Sequence, residues 1–199
     1  MGARAGEDVS DAELVARAGL GDPGSFDLLV SRHLKQAVGF AYRMVRNRED
    51  AEDLVQESFL TVLEKIETFD SGRAFKPWYY RILANRCLNH RRSAARRLSE
   101  ELPASAASRA PAPDRVAARA ELGARLRTAM DELPERQRTV LQLSEVEGFA
   151  GSEIAGVLGL SEGTVRWHLH QARERMRELL SGWEHEVDGV EDGLPERAP

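Results

Sequence analysis

The sequence predicts an all-α protein: two small helical domains joined by a flexible linker, the second containing a helix-turn-helix. Three observations carry this. Apolar residues recur at steps of three and four along successive stretches, the period of a helix with one buried face. Residues suited to capping helices (Ser10 or Asp11, Asp22, Asn47 and Ser161) stand at the heads of those stretches. Between two groups of such stretches lies Ser99 to Asp114, rich in alanine, serine and proline and with little to bury. The expected divisions are residues 1–98 for the first domain, 99–114 for the linker, 115–182 for the second domain and 183–199 for an acidic disordered tail.

Taken in order, a first short helix carries Leu14, Val15 and Ala18, and Gly19 to Gly21 ends it. Asp22-Pro23 starts the next, an N-cap followed by proline at the first helical position. Its apolar stripe runs through Phe26, Leu29, Val30, Leu34, Ala37, Val38, Ala41, Met44 and Val45. Asn47 caps a third helix, whose first turns hold Glu49, Asp50, Glu52 and Asp53, at the end where the helix dipole favours carboxylates. Leu54, Val55, Phe59, Val62, Leu63 and Ile66 form its apolar face, which leaves Asp53, Gln56 and Glu57 largely outside. A turn-rich loop, Asp70 to Lys76, leads to a fourth helix opened by Pro77. There Trp78, Ile82, Asn85 and Asn89 share one side, and Tyr80, Leu83, Ala84 and Cys87 a second, more apolar one. Asn85 and Asn89 need partners, because amides disfavour helix interiors.

The linker, fully stretched, reaches on the order of 50 Å. Helical pattern resumes at Val116, Leu122, Leu126 and Met130, turns at Leu133-Pro134, and continues from Arg136 to Val146 with Val140, Leu141 and Leu143 inside. A short helix with Ile154, Ala155 and Leu158 is broken by Gly159, and Ser161 caps the next. In that last helix Val165, Leu169, Ala172, Met176 and Leu179 make the buried stripe. Arg166, His170, Arg173 and Arg177 lie beside it, with Trp167 and Gln171 further round. A helix, a tight glycine turn and a second helix with a cationic outer face form the pattern that places a recognition helix in a major groove.

Composition excludes several classes. The 199 residues suit one or two small domains, and 42% apolar residues suffice for real cores. No apolar run is long enough to span a bilayer, and Met1 to Glu13 lacks the apolar stretch of a signal peptide, so a cytoplasmic protein is expected. Cys87 is the single cysteine, which rules out a disulfide framework or a cysteine-based zinc site. His33, His90, His168, His170 and His185 are scattered, and no phosphate loop or nucleophile motif accompanies them. No enzyme, metal or cofactor is therefore expected. The net charge of −5 hides a segregation. Arg73 to Arg97 holds eight basic residues and no acid, whereas Glu49 to Glu67 holds seven acids against Lys65 alone. Local patches of this kind matter more to partners than the sum.

Two stretches carry a resemblance. Asn47 to Phe59, with its Asp-Ala-Glu-Asp-Leu-Val-Gln-Glu core, followed by Phe75 to Arg86, resembles region two of bacterial RNA polymerase sigma factors. Leu133-Pro134-Glu135-Arg136-Gln137-Arg138-Thr139-Val140-Leu141 with the helix-turn-helix resembles region four. With only these domains the chain is similar to the small extracytoplasmic-function group, over about Ser10 to Leu180. The resemblance implies an alternative sigma factor that binds core RNA polymerase, recognises promoter DNA and opens it. It implies that Asp50, Asp53, Leu54, Gln56 and Glu57 dock on the clamp helices of the largest polymerase subunit, and that region four meets the flap. Arg73, Phe75, Lys76, Trp78, Arg81, Asn85, Arg86 and Asn89 would meet the minus-ten element, whose flipped base costs a few kcal/mol to unstack. Ser161, Thr164, Arg166, Trp167, His168, His170 and Arg173 would meet the minus-thirty-five duplex. An anti-sigma protein is a further implied partner.

The sequence departs from the family in two places. Ala150 stands where a capping serine is usual, which removes about 1 kcal/mol unless Gly151 or Ser152 shifts the helix start. Trp167-His168 replaces a small-then-basic pair, and the indole is placed to pack on sugar or a thymine methyl, or on a neighbouring helix. Judged on the residues alone, an autonomous helix-turn-helix regulator with an N-terminal ligand-binding or dimerisation domain is the alternative, with a helical protein-binding scaffold behind it.

Overall fold

A computed structural model describes residues 9–100 and 115–188, with side chains described for 9–97 and 121–181. Every regular element among the described residues is helical. Four helices form the first domain: α1 (Asp11–Gly19), α2 (Pro23–Val45), α3 (Arg48–Lys65) and α4 (Phe75–Glu100), with a single 3-10 turn at Ile66–Thr68 after α3. The second domain holds α5 (Arg115–Glu132), α6 (Glu135–Leu141), α7 (Gly151–Leu158) and α8 (Glu162–Asp188).

The caps lie where the sequence places them. Ser10 Oγ accepts from the backbone amide of Glu13 at 3.2 Å, Asp22 Oδ1 from that of Gly24 at 3.1 Å, and Asn47 Oδ1 from that of Glu49 at 2.9 Å. Each satisfies an amide that the first helical turn leaves without a partner. Asp22 Oδ2 also accepts from the Ser25 hydroxyl at 2.6 Å, and that bond chiefly holds its carboxyl below the usual range.

Several boundaries and faces differ from expectation. The fourth helix begins at Phe75, two residues before Pro77, which sits in the first turn where its missing amide costs nothing. It runs to Glu100, past the expected boundary at residue 98, and 101–114 lie outside the described residues. The last helix runs to Asp188, so Trp183 to Asp188 are helical rather than part of a disordered tail; 189–199 lie outside the described residues. In α2 the buried stripe is rotated: His33 and Phe40 are inside and Leu34 is 44% exposed. Leu63 is likewise exposed rather than inside, and Leu122 and Leu126, which mark the resumed helical pattern, are exposed too.

The helix from Arg136 to Val146 is regular only as far as Leu141. Gln142–Val146 form a π turn, closed by a bond from the Glu147 amide to the Gln142 carbonyl at 3.1 Å. The extra residue in that turn changes the direction in which Glu147 points. The two domains pack face to face. Val140, Leu143, Phe149, Ile154, Ala155, Val157 and Val165 share one apolar core with the first domain. A separate, smaller cluster of Ala129, Leu133, Leu141, Ala172 and Met176 ties α5, α6 and α8 together.

Candidate nucleic-acid interface

Three surfaces bear the expected site residues. The first is the outer face of α3. Asp53, Gln56 and Glu57 are exposed there, and Leu60, 54% exposed, extends the same face one turn on. Leu54 does not belong to it: it is 8% exposed, because it follows Ala51 by three residues onto the core side. Leu60 is the residue that sequence reasoning missed, although its step of three and four from Glu57 and Gln56 could have found it. Asp50 Oδ2 lies 3.2 Å from His90 Nε2, and Glu57 Oε2 accepts from Arg86 Nη1 at 2.5 Å. α3 and α4 are thus held together by pairs between the acidic and basic segments.

The second surface is the outer side of α4. Arg81, Asn85 and Asn89 are exposed at steps of four, and Arg92 and Arg96 continue the row. Among the described residues, no hydrogen bond or ion pair engages the side chains of Arg81, Asn85 or Asn89. A row of amides and guanidiniums on one helix face offers donors to phosphates and both donors and acceptors to base edges. Arg73 is exposed on the preceding loop, where Asp70 organises the turn by accepting from the Gly72 amide at 3.0 Å and from Arg73 Nε at 3.1 Å.

The remaining residues of the minus-ten set are turned inward. Phe75 is 2% exposed and stacked parallel to Tyr79 at 5.8 Å, so it supports the surface from beneath and presents no ring. Tyr79, unremarked in the sequence, is the centre of that core. It shares a 3.0 Å hydrogen bond with Ser58 Oγ, and burial holds its phenol well above the usual range. Trp78 is half-buried against Phe69 at 5.0 Å. Arg86 is held between Glu57 and Thr61, and Lys76 donates to the Glu147 carbonyl at 2.9 Å.

The third surface is the helix-turn-helix, α7 and α8. Ala150 is the N-cap of α7 with no side chain to accept, and the start has not shifted; Glu153 supplies the other half of the box by accepting from the Ala150 amide at 2.8 Å. Gly159 closes α7 at φ +64°, the left-handed conformation glycine adopts without strain. Ser161 Oγ accepts from the Thr164 amide at 3.1 Å and lies 2.8 Å from Thr164 Oγ1, so both hydroxyls are engaged at the cap. Val165 and Ala172 are wholly buried on one side of α8. Directly opposite, Trp167 is 55% exposed, with Arg166 and His170 exposed beside it.

His168 is a correction. It is half-buried, its Nδ1 has no partner, and its ring meets the indole edge-on at 4.9 Å. Burial, then the nearby Arg136 charge, holds its imidazole below the usual range, so it braces Trp167 rather than adding a cation to the face. Arg173 is engaged as well, donating to Glu145 through Nη2 at 2.6 Å and Nε at 3.2 Å. No cluster of histidine, cysteine or carboxylate groups among the described residues could hold a metal, and none of their helices is long and apolar enough to cross a membrane.

Comparison with known proteins places these surfaces in context. Residues 29–97 match the family model for sigma-70 region 2, and 123–176 match that for sigma-70 region 4. The chain is 33% identical to the RNA polymerase sigma-H factor of Pseudomonas aeruginosa over 85% of its own length and 93% of that protein. It is 36% identical to the sigma factor CarQ of Myxococcus xanthus, covering 84% and 95%. To the ECF sigma factor SigE of Mycolicibacterium smegmatis it is 35% identical, over 79% of this chain but only 62% of that one. Among solved structures, CnrH in complex with the cytosolic domain of CnrY matches with a TM-score of 0.66 and 29% identity, covering 87% of this chain and 98% of that one.

Proposed function

The chain belongs to the extracytoplasmic-function sigma factors of bacterial RNA polymerase, and from that premise we propose how its surfaces divide the work. It is an alternative sigma factor that binds core polymerase and directs it to promoters, and what catalysis there is belongs to the polymerase. Its place of action is then the cytoplasm, where polymerase works. Asp53, Gln56, Glu57 and Leu60 dock on the clamp helices of the largest subunit, the leucine supplying apolar area and the acids register. Arg81, Asn85 and Asn89, with Arg73 at the loop, receive the opened minus-ten strand. The guanidiniums hold phosphates, and the amides read base edges that unstacking has exposed.

On the second domain Arg166 and His170 contact the minus-thirty-five duplex, and Trp167, braced by His168, lays its indole on a thymine methyl. The observation that carries this reading is the pairing, in one four-helix domain, of an exposed acidic face on α3 with an acid-free row of amides and arginines on α4. One surface suits a protein and the other a nucleic acid. Run-off transcription with purified core polymerase on genomic fragments tests it. Transcripts of defined start, present only when the chain is added, are expected. Core enzyme that behaves identically with and without it rejects the proposal.

A further inference from the structure

Arg86 belongs to the expected minus-ten set, yet the fold turns it away from the exposed row of α4. It follows Asn85 by one residue and precedes Asn89 by three, so it stands on the border of that row, about 100° round from Asn85. Its flexible stem can carry the guanidinium to either side of the border. The group is held on the α3 side. Nη1 donates to Glu57 Oε2 at 2.5 Å, and Nη2 donates to Thr61 Oγ1 at 2.6 Å. Thr61 Oγ1 in turn donates to the Glu57 carbonyl at 3.1 Å, so one turn of α3 grips both arms of the fork. One turn further along α4, His90 Nε2 lies 3.2 Å from Asp50 Oδ2. A polar seam thereby joins α3 to α4, and both of its acids, Asp50 and Glu57, belong to the expected docking set.

The seam makes one carboxylate serve two surfaces. The Glu57 side chain is 57% exposed and that of Arg86 34%, so the pair is open to water and to competitors. An ion pair so exposed contributes a few-fold at most to an equilibrium, weak enough for a partner to exchange. A cation that approaches Glu57 draws on the carboxylate that holds Arg86, and a phosphate that approaches Arg86 must draw it from Glu57. Each event lowers the cost of the other. This is positive coupling between two sites, and linkage makes it reciprocal.

We propose that Glu57 is a positioning residue that masks Arg86 from nucleic acid in the free chain, and that docking on polymerase hands Arg86 over to a phosphate of the opened strand. The hand-over rests on the sigma-factor reading; the masking does not. Asp53, one turn before Glu57 on the same face, has no ion pair among the described residues, so a contact there transmits nothing to α4. Glu57 is the point at which the docking face and the strand-binding face share a group.

The test uses the full chain, a labelled oligothymidine strand and core polymerase. Glu57→Gln should bind the strand about threefold to fivefold more tightly than the wild type, and its log–log salt dependence should steepen by roughly 0.7, as one added phosphate contact requires. Glu64→Gln removes an equal charge from an exposed site on α3 without an ion pair among the described residues, and should leave the slope unchanged. Adding Glu57→Gln to Arg86→Gln should change nothing further, because the masked group is gone. Arg86→Gln should tighten binding to core polymerase by about threefold to fivefold, whereas a purely structural strut between α3 and α4 would weaken it on removal. If Arg86→Gln does not fold, Thr61→Val decides: it keeps both charges, loosens only Nη2, and should raise strand affinity about twofold. A slope unchanged in Glu57→Gln overturns the masking, and core binding by Arg86→Gln no tighter than that of the wild type overturns the hand-over. A wild-type chain that ignores core polymerase while Glu57→Gln steepens the slope rejects the sigma-factor reading alone. One that binds polymerase while the slope stays fixed rejects only the masking.

Discussion

In the first domain Phe40, Phe59, Phe69, Phe75, Trp78, Tyr79 and Tyr80 form a continuous run of ring contacts with centroids between 4.6 and 6.1 Å apart. The second domain keeps to itself only a small cluster around Ala129, Leu133, Leu141, Ala172 and Met176, and lends its one described core aromatic, Phe149, to its neighbour. Large rings bury much apolar area per residue, so the first domain can hold its own shape and tolerate amides along the outside of α4. The second domain leans on smaller residues and shares much of its apolar core with the first. This contrast matches the proposed division of labour: a platform of rings for an opened strand, and a smaller reader for a closed duplex.

The most damaging way to probe the contrast is Phe40→Ala, at a fully buried ring in contact with Tyr80. It should cost about 3–5 kcal/mol in chemical denaturation and lower the transition of the first domain. Leu141→Ala should cost about 2–4 kcal/mol, confined to the second domain. One merged transition in both variants would break the contrast. Asn85→Ala, exposed and outside any core, should leave stability unchanged. It should relax discrimination at one minus-ten position by about 1–3 kcal/mol, read as relative transcription from single-base promoter variants.

Smaller effects sharpen the picture of the reader. Ala150→Ser restores the missing cap at a backbone conformation already suited to it, and should add about 1 kcal/mol to the second domain in thermal melts. Smallest is Trp167→Ala. Replacing thymine by deoxyuridine at one minus-thirty-five position removes a single methyl, which should cost the wild-type holoenzyme about 0.8 kcal/mol, roughly fourfold in affinity. The variant should be indifferent to that change. Equal sensitivity in both would mean that the indole touches something other than the methyl.

Much of this architecture was legible because its signals are local. Ser10, Asp22, Asn47, Gly159 and Ser161 act within four residues of themselves, so the helix starts and the turn of the helix-turn-helix follow from short windows. What was not legible depends on distant partners. Apolar residues occur around much of α2, so its pattern alone could not say that His33 and Phe40 rather than Leu34 face the core. Glu147 looks like any exposed acid in the sequence, because its partners Tyr80 and Arg43 lie 67 and 104 residues away. The inward turn of His168 and the pairing of Arg173 with Glu145 have the same origin: a helical wheel gives the face, but not which neighbour has reached it. That Trp183 to Asp188 are helical has a simpler reason, since no proline or glycine interrupts them.

The central claim is that the outer face of α3 is the platform on which the chain meets polymerase. A titration of fluorescently labelled chain with core polymerase tests it most directly, comparing the wild type with Asp53→Lys and with a control reversal, Asp27→Lys, at an exposed acid on α2. Saturable binding by the wild type and by Asp27→Lys, with loss of binding by Asp53→Lys, is the predicted result. Binding by Asp53→Lys as tight as that of the wild type would contradict the claim.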